Sequence, residues 1–374
     1  MKSIVNSVSI ESYNSEKLNG ALDFLLAPLG GFEKYIKPAM RVLLKPNLLS
    51  ARTPERAVTT NPELVGAIAE KCLALGAEVL IGDSPGGVEK GLKRVWDSTG
   101  MSTISQKTGA RMVSFESGGT RNCSAGERIL NLSKFAFDVD FIISIPKLKT
   151  HVLTTYTGAV KNCYGFVPGL MKSEYHKTNP KPRGFSELLV DIYSIIRPGL
   201  TILDGGLVME GDGPASGDPR WLGYLFASTD GVALDSAVAS LIGVKPERLL
   251  TSKIASAKMI GASTLDKIER LGPAFEIDRI RNFKLPSNFV INLIPESLAR
   301  YAGSYIWARP AINHGSCTLC QTCVENCPEN VIYEKAGRLE FRYDNCIKCM
   351  CCHELCPERA VYLEKSFLAR KIGR

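Results

Sequence analysis

The sequence predicts an α/β protein, a mostly parallel sheet domain covered by helices, with a small α+β module appended. Three observations carry this. Short apolar runs alternate with amphipathic helical stretches from the start of the chain to about residue 270. Polar residues recur just past the ends of those runs, which is where open α/β sheets bind ligands. Most of the cysteines concentrate near the C-terminus, in two runs of identical spacing.

Taken in order, residues 41–44 read as a strand that ends in Lys45-Pro46-Asn47. Asn61 is placed as an N-cap and Pro62 at the first helical position. The helix they open has Leu64, Val65, Ile68, Cys72 and Leu75 on its apolar face, and Gly76 closes it. Cys72 is expected to be a buried small hydrophobe. Residues 77–81 form the next strand, ending in Gly82-Asp83-Ser84-Pro85-Gly86-Gly87, and a helix follows through Trp96. Strands are also expected at 110–115, 129–132, 141–145, 201–203 and 224–227, with a helix over 233–242. The run 141–145 is apolar throughout, as in a strand buried on both faces. Residues 288–294 read as a strand, and 295–307 as a short amphipathic connector helix with Leu298, Tyr301 and Tyr305 on one side. These signals divide the chain into an α/β domain (1–270), a connector (271–312) and a terminal module (313–374).

Composition narrows the function. At 374 residues, 45% hydrophobic and 22% charged, the chain encloses its own core. It shows no run of apolar residues long enough to span a bilayer and no export signal at residues 1–7. The formal charge of +8 is spread along the chain without a basic arm, which argues against nucleic acid. A reducing cytoplasm is the expected compartment.

The cysteine runs are Cys317-x-x-Cys320-x-x-Cys323-x-x-x-Cys327-Pro328 and Cys346-x-x-Cys349-x-x-Cys352-x-x-x-Cys356-Pro357, offset by 29 residues. This is the spacing by which bacterial-type ferredoxins hold [4Fe–4S] clusters, the fourth cysteine crossing to the other cluster. Cys317, Cys320, Cys323 and Cys356 are therefore assigned to one cluster, and Cys346, Cys349, Cys352 and Cys327 to the other. Structural zinc sites use two separated cysteine pairs instead, and disulfide frameworks belong to small secreted domains. Cys351 and His353, lying between ligands, are expected to tune the cluster environment.

A second constellation is Pro146-Lys147-Leu148-Lys149-Thr150-His151, followed by Thr157-Gly158-Ala159-Val160-Lys161-Asn162 and by Lys172 and His176. Four lysines and two histidines so close together suit an anionic ligand and a proton donor near neutral pH. The alternative is a solvated basic loop. Gly82-Asp83-Ser84-Pro85-Gly86 matches a nucleophile elbow, but no suitable acid and histidine follow it. An anion received by the turn amides suits it better. Neither a P-loop nor a dinucleotide fingerprint is present. Asp204, Glu210, Asp212 and Asp230 have no defined ligand spacing, and Cys163 is the one spare cysteine placed to react.

The chain resembles the domain of unknown function 362 family in its form with an appended two-cluster domain. Lys45-Pro46-Asn47-Leu48, Thr60-Asn61-Pro62-Glu63, Gly82-Asp83-Ser84-Pro85-Gly86-Gly87 and Pro146-Lys147-Leu148-Lys149-Thr150-His151 carry the resemblance. Thr157-Gly158-Ala159-Val160-Lys161-Asn162, Asp204-Gly205, Glu210-Gly211-Asp212-Gly213-Pro214 and Asp230-Gly231-Val232-Ala233-Leu234-Asp235 continue it, as does Cys351-Cys352-His353-Glu354-Leu355-Cys356-Pro357. It implies fold and cofactors more than a reaction.

The resulting expectation is an iron–sulfur oxidoreductase that relays single electrons through two [4Fe–4S] clusters to an anionic substrate or cofactor. Lys147, Lys149 and Lys161 would hold the anion, and His151 would donate a proton. Asp83, Ser84, Asn162 and Asp204 would bind or orient the ligand. The alternative is a non-catalytic electron carrier, or a maturation accessory, acting on a redox partner protein.

Overall fold

The computed structural model describes residues 2–86, 91–169, 171–292 and 305–372. The α/β part runs β1 (Ser3–Ser9), α1 (Ser15–Leu26), β2 (Arg41–Pro46), α2 (Pro62–Ala74), β3 (Glu78–Asp83), α3 (Leu92–Ser98), α4 (Met101–Thr108) and β4 (Arg111–Ser114). It continues with the hairpin β5 (Thr120–Ala125) and β6 (Arg128–Ser133), then β7 (Phe141–Ile145), β8 (Lys147–His151), β9 (Thr155–Thr157), α5 (Ala159–Asn162), α6 (Met171–Thr178) and α7 (Pro182–Ile196). The remaining elements are β10 (Leu200–Glu210), β11 (Asp218–Ser228), α8 (Gly231–Leu241), α9 (Leu250–Ala257) and β12 (Ile268–Leu271).

The main sheet has the order β12-β1-β11-β10-β7-β2-β3-β4. From β10 to β4 every ladder is parallel, whereas β11 runs antiparallel to both β10 and β1. Parallel neighbours need crossover helices, and these cover both faces. Along β2, Val42 and Leu44 join α1, α2 and α4 in one core, while Leu43 points to the other with Phe185, Leu188 and Ile192 of α7. The period of two thus divides one apolar strand between two layers.

Local signals explain several element ends. The Asn61 side chain accepts the Glu63 amide at 2.9 Å, and Pro62 occupies the first turn of α2. Cys72 is buried inside that helix, and burial pushes its thiol up to about 12. Strand β7 has the bounds read from the sequence.

Two differences concern local structure. Residues 288–294 were expected as a strand, but Phe289–Asn292 form a short helix. A short apolar run has no periodicity of its own to choose between the two. The expected connector helix over 295–307 lies, through residue 304, outside the described residues.

The second difference positions the site. Past Pro146 the chain continues as β8, buried at every residue and paired in parallel with β10 beyond the point where β7 leaves it. The basic stretch is therefore sheet interior at its start, not a solvated loop. In the terminal module, β13 (Ala308–Ile312) pairs antiparallel with β16 (Val361–Lys365), and β14 (Ile332–Lys335) with β15 (Arg338–Phe341). Short helices span Thr322–Glu325 and Cys351–Leu355.

Candidate active site at the seam with the cysteine module

The eight cysteines of the two runs fall into two groups. One cavity is lined by Cys317, Cys320, Cys323 and Cys356, together with Ile312, Leu339 and Val361. A second is lined by Cys327, Cys346, Cys349 and Cys352, with Pro310, Ile332 and Phe341. Each therefore takes its fourth cysteine from the other run. Among the described residues no three His, Cys, Asp or Glu side chains close in on a single-ion site. The backbone repeats with the cysteines. Leu319, Gln321 and Asn330 have positive φ, and so do Lys348, Met350 and Arg359, each 29 residues later. Alternating αR and αL residues turn successive amides inward into concavities that suit anionic centres, iron–sulfur sites among them. The Val331 and Ala360 amides donate to Cys327 and Cys356 Sγ at 3.4 and 3.2 Å. Four thiols, inward amides and an apolar lining fit a [4Fe–4S] cluster in each cavity.

The α/β domain holds two lysine–carboxylate pairs, one at the carboxyl ends of β2 and β3 and one between the start of β8 and the middle of β10. Lys45 Nζ meets Asp83 Oδ1 at 2.8 Å, and Lys147 Nζ meets Asp204 Oδ2 at 2.8 Å, all four side chains being almost fully buried. Asp83 also accepts the amides of Leu48 and Ser84, and Asp204 accepts the Asn61 amide and the Tyr13 hydroxyl. Lys149 donates to the Val58 carbonyl at 2.7 Å. Burial, with Lys161 adding to it, pushes Lys149 down to about 7. Asn162 ties the strand ends together: its Nδ2 donates to the Lys45 carbonyl and Ser144 Oγ, and its Oδ1 accepts from Lys45 Nζ and Asn47 Nδ2. Lys147, Lys149 and Asp204 are thus engaged within the fold.

The cavity that remains open lies between this layer and the module. Its walls include Asn47, Asp83, Ser84, Lys161, Asn162, Tyr164, Lys172 and His176 from the α/β domain. Asn326, Cys351, Glu354 and Leu355 close it from the module, leaving about 70 Å³. The seam is tight: a Cβ on Gly86 would run into the Leu355 side chain, and Arg52 donates to the carbonyls of Cys356 and Pro357. Lys172 Nζ is shared between Ser84 Oγ at 2.6 Å and the Val167 carbonyl at 2.5 Å, and burial pushes it down to about 8. Among the described residues Lys161 Nζ makes no hydrogen bond; it lies 5.9 Å from the centre of the Tyr164 ring. Burial lowers the Lys161 pKa, against the opposing pull of Glu354.

His151 lies behind the cavity wall. Its Nδ1 accepts the amides of Leu153 and Thr154, which puts the neutral ring's proton on Nε2, 3.5 Å from Glu354 Oε2. Burial, with Lys161 adding to it, pushes His151 down to about 3. Burial alone would raise the Glu354 carboxyl, but Lys161 and the nearby His151 ring outweigh it and hold it well below the usual range. His176 stacks on Phe185 at 4.2 Å, its Nδ1 has no partner among the described residues, and burial pushes it down to about 4. Cys163 is buried, donates to the Ala159 carbonyl and has its thiol pushed up to about 12 by burial, so it is not poised as a nucleophile. His353 is buried, and neither ring nitrogen has a hydrogen-bond partner among the described residues.

The family model described as Domain of unknown function (DUF362) matches residues 42–240, more than half of the chain. The chain belongs to this family. A 4Fe-4S dicluster domain model matches residues 316–361, the segment that holds both cysteine cavities. The chain is also 40% identical over 253 residues to the thylakoid-associated protein sll1697 of Synechocystis sp., an alignment covering 66% of this chain and 78% of that one. Among solved structures it is similar to the lactate racemase apoprotein from Thermoanaerobacterium thermosaccharolyticum, at 14% identity and a TM-score of 0.37, over 62% of this chain and 55% of that one. A protein from Thermotoga maritima gives 14% identity and a TM-score of 0.34, over 53% and 51%. The chain spans about half the length of these two structures.

Among the expected site residues, the cavity of this DUF362 chain gathers Asp83, Ser84, Lys161 and Asn162. Lys147, Lys149, His151 and Asp204 stand outside its lining. Sequence reasoning missed Glu354 as a site residue. It occupies the same repeat position as Glu325, which is exposed, so residue type could not separate the two.

Proposed function

We propose that this is an iron–sulfur protein with two [4Fe–4S] clusters, held by Cys317, Cys320, Cys323 and Cys356 and by Cys346, Cys349, Cys352 and Cys327. It acts as an oxidoreductase on a small anion in the seam cavity. The observation that carries this is the helix Cys351–Leu355: it lies within the second cysteine run, and it forms one wall of a cavity whose other wall holds Lys161, Lys172 and His176. Bound clusters would supply single electrons at that wall. Lys161 is the anion's partner, since its ammonium has unused donors. Lys172 fixes Ser84 and adds positive charge. Lys147 and Lys149 support the floor, and His151 orients Glu354. All twelve cysteines are unpaired, which favours a reducing cytoplasm. No helix among the described residues is long and apolar enough to cross a membrane.

The test is anaerobic isolation with iron and sulfide analysis, expected to give about eight of each per chain. Stopped-flow reoxidation of the reduced protein by small anions follows. Lys161→Gln should slow anion-driven reoxidation by at least about tenfold, the loss of one charge-assisted hydrogen bond. Unchanged reoxidation in that variant would remove the catalytic reading. The exposure of Cys320 favours a second reading, an electron carrier that meets a partner protein at the first cluster. Reoxidation only by a protein would support it.

A further inference from the structure

The seam cavity contains two opposed, incompletely satisfied groups. Lys161 Nζ makes no hydrogen bond among the described residues, and Glu354 faces it across the cavity with no ion pair between them within 4.0 Å. Among the described residues the one basic group within 4.0 Å of the Glu354 carboxylate is His151 Nε2, at the long distance of 3.5 Å. The neighbouring groups already have partners: Asp83 is paired with Lys45, and Lys172 Nζ donates to Ser84 Oγ and the Val167 carbonyl. An anion alone would satisfy Lys161 and leave a carboxylate facing it. Two further polar atoms have no partner among the described residues, Asn47 Oδ1 and His176 Nδ1, and the His176 ring is more than nine-tenths buried. A water needs about 10–15 Å³ of such space, so the cavity holds roughly five to seven light atoms.

We propose that the cavity takes a compact bifunctional ligand: an oxyanion, most simply a carboxylate, with a hydroxyl or amino group one or two bonds away. The oxyanion pairs with Lys161 and the donor group with Glu354, so the ligand bridges the α/β domain and the cysteine module. This rests on the functional reading above and names the ligand class of the same site. A monofunctional acid leaves Glu354 unpaired, and a buried group left without its partner is what gives a site its power to reject the wrong ligand.

The experiment is calorimetry on the anaerobically isolated holo-protein at fixed ionic strength, with acetate, glycolate and glycine as probes. Glycolate or glycine should bind at least about tenfold more tightly than acetate, the size expected for one hydrogen bond to a charged group. Lys161→Gln should weaken all three. Glu354→Gln, checked for iron content and absorbance, should abolish the preference while leaving acetate unchanged within about threefold. Should Glu354→Gln fail to load its clusters, Lys161→Gln and the three-probe comparison on the natural protein decide the matter. The reduced clusters' electron paramagnetic resonance line shape should change with glycolate. Equal binding of all three probes, no binding of any, or a preference that survives Glu354→Gln overturns the proposal. If glycolate binds but never reoxidises the clusters, the ligand class stands and the redox reading falls. If another anion reoxidises them while these acids do not bind, the reverse holds.

Discussion

Lys149 shows how far one residue's character can be altered by its place. In sequence it is one of four lysines in a basic stretch; in the structure it lies within β8, its ammonium reduced to one carbonyl partner. Its pKa in the folded protein, about 7, is below its value in an unfolded chain. Between about pH 7 and about pH 10.4 the unfolded chain therefore binds the extra proton, and stability rises with pH across that window. Lys149→Met should flatten the rise, which at full effect is about 1.4 kcal/mol per pH unit. Urea midpoints measured from pH 7 to 10 in both proteins check this, and parallel profiles would contradict it. Lys161 carries the same charge in sequence and keeps its donors free. Nothing local distinguishes the two, because the difference comes from which carbonyls and carboxylates other strands bring alongside.

At the scale of elements, the sequence showed most where burial is two-sided or a cap is present. The run 141–145 and the Asn61–Pro62 start of α2 have local causes, and both stand where they were expected. β8 was not legible as a strand, since Lys-Leu-Lys-Thr-His has the composition of a loop. It is buried because Asp204, Val58 and Glu354 receive its polar ends. The 3₁₀ turn Cys163–Phe166 supplies another long-range constraint. A Cβ on Gly165 would lie 2.5 Å from Lys45 Nζ and closer still to Asp83 Oδ1. Gly165→Ala must displace a buried ion pair, at a cost of about 1–3 kcal/mol typical of overpacking. Chemical denaturation reads this directly, and an unchanged midpoint would mean that the turn can move away.

At the scale of the molecule, the spacing of two-cluster ferredoxins suggests the same two groups of cysteines that line the two cavities. The seam could not be read from spacing, because it joins side chains some 200 residues apart. Gly86 is one point where the sheet domain packs tightly on the module, against Leu355. Gly86→Val should push the helix Cys351–Leu355 outward while leaving the eight cysteines in place. Iron content is then retained, but ligand-dependent changes in the cluster spectrum are lost. Retention of both would show that the seam tolerates the extra volume.

That helix has one more consequence, for the order in which the protein is made. It contains Cys352 and ends just before Cys356, one cysteine from each group, and metal ligation commonly supplies the folding energy of such small modules. If the module folds only with its iron, the sheet domain alone keeps its paired lysines and its apolar cores but lacks the wall that carries Glu354 and Leu355. On the proposed reading, the seam cavity would then be completed only when the clusters are. A newly synthesised chain in an iron-starved cell would then be folded through most of its length and still unable to hold the proposed ligand, so that maturation of the metal centre would license the site.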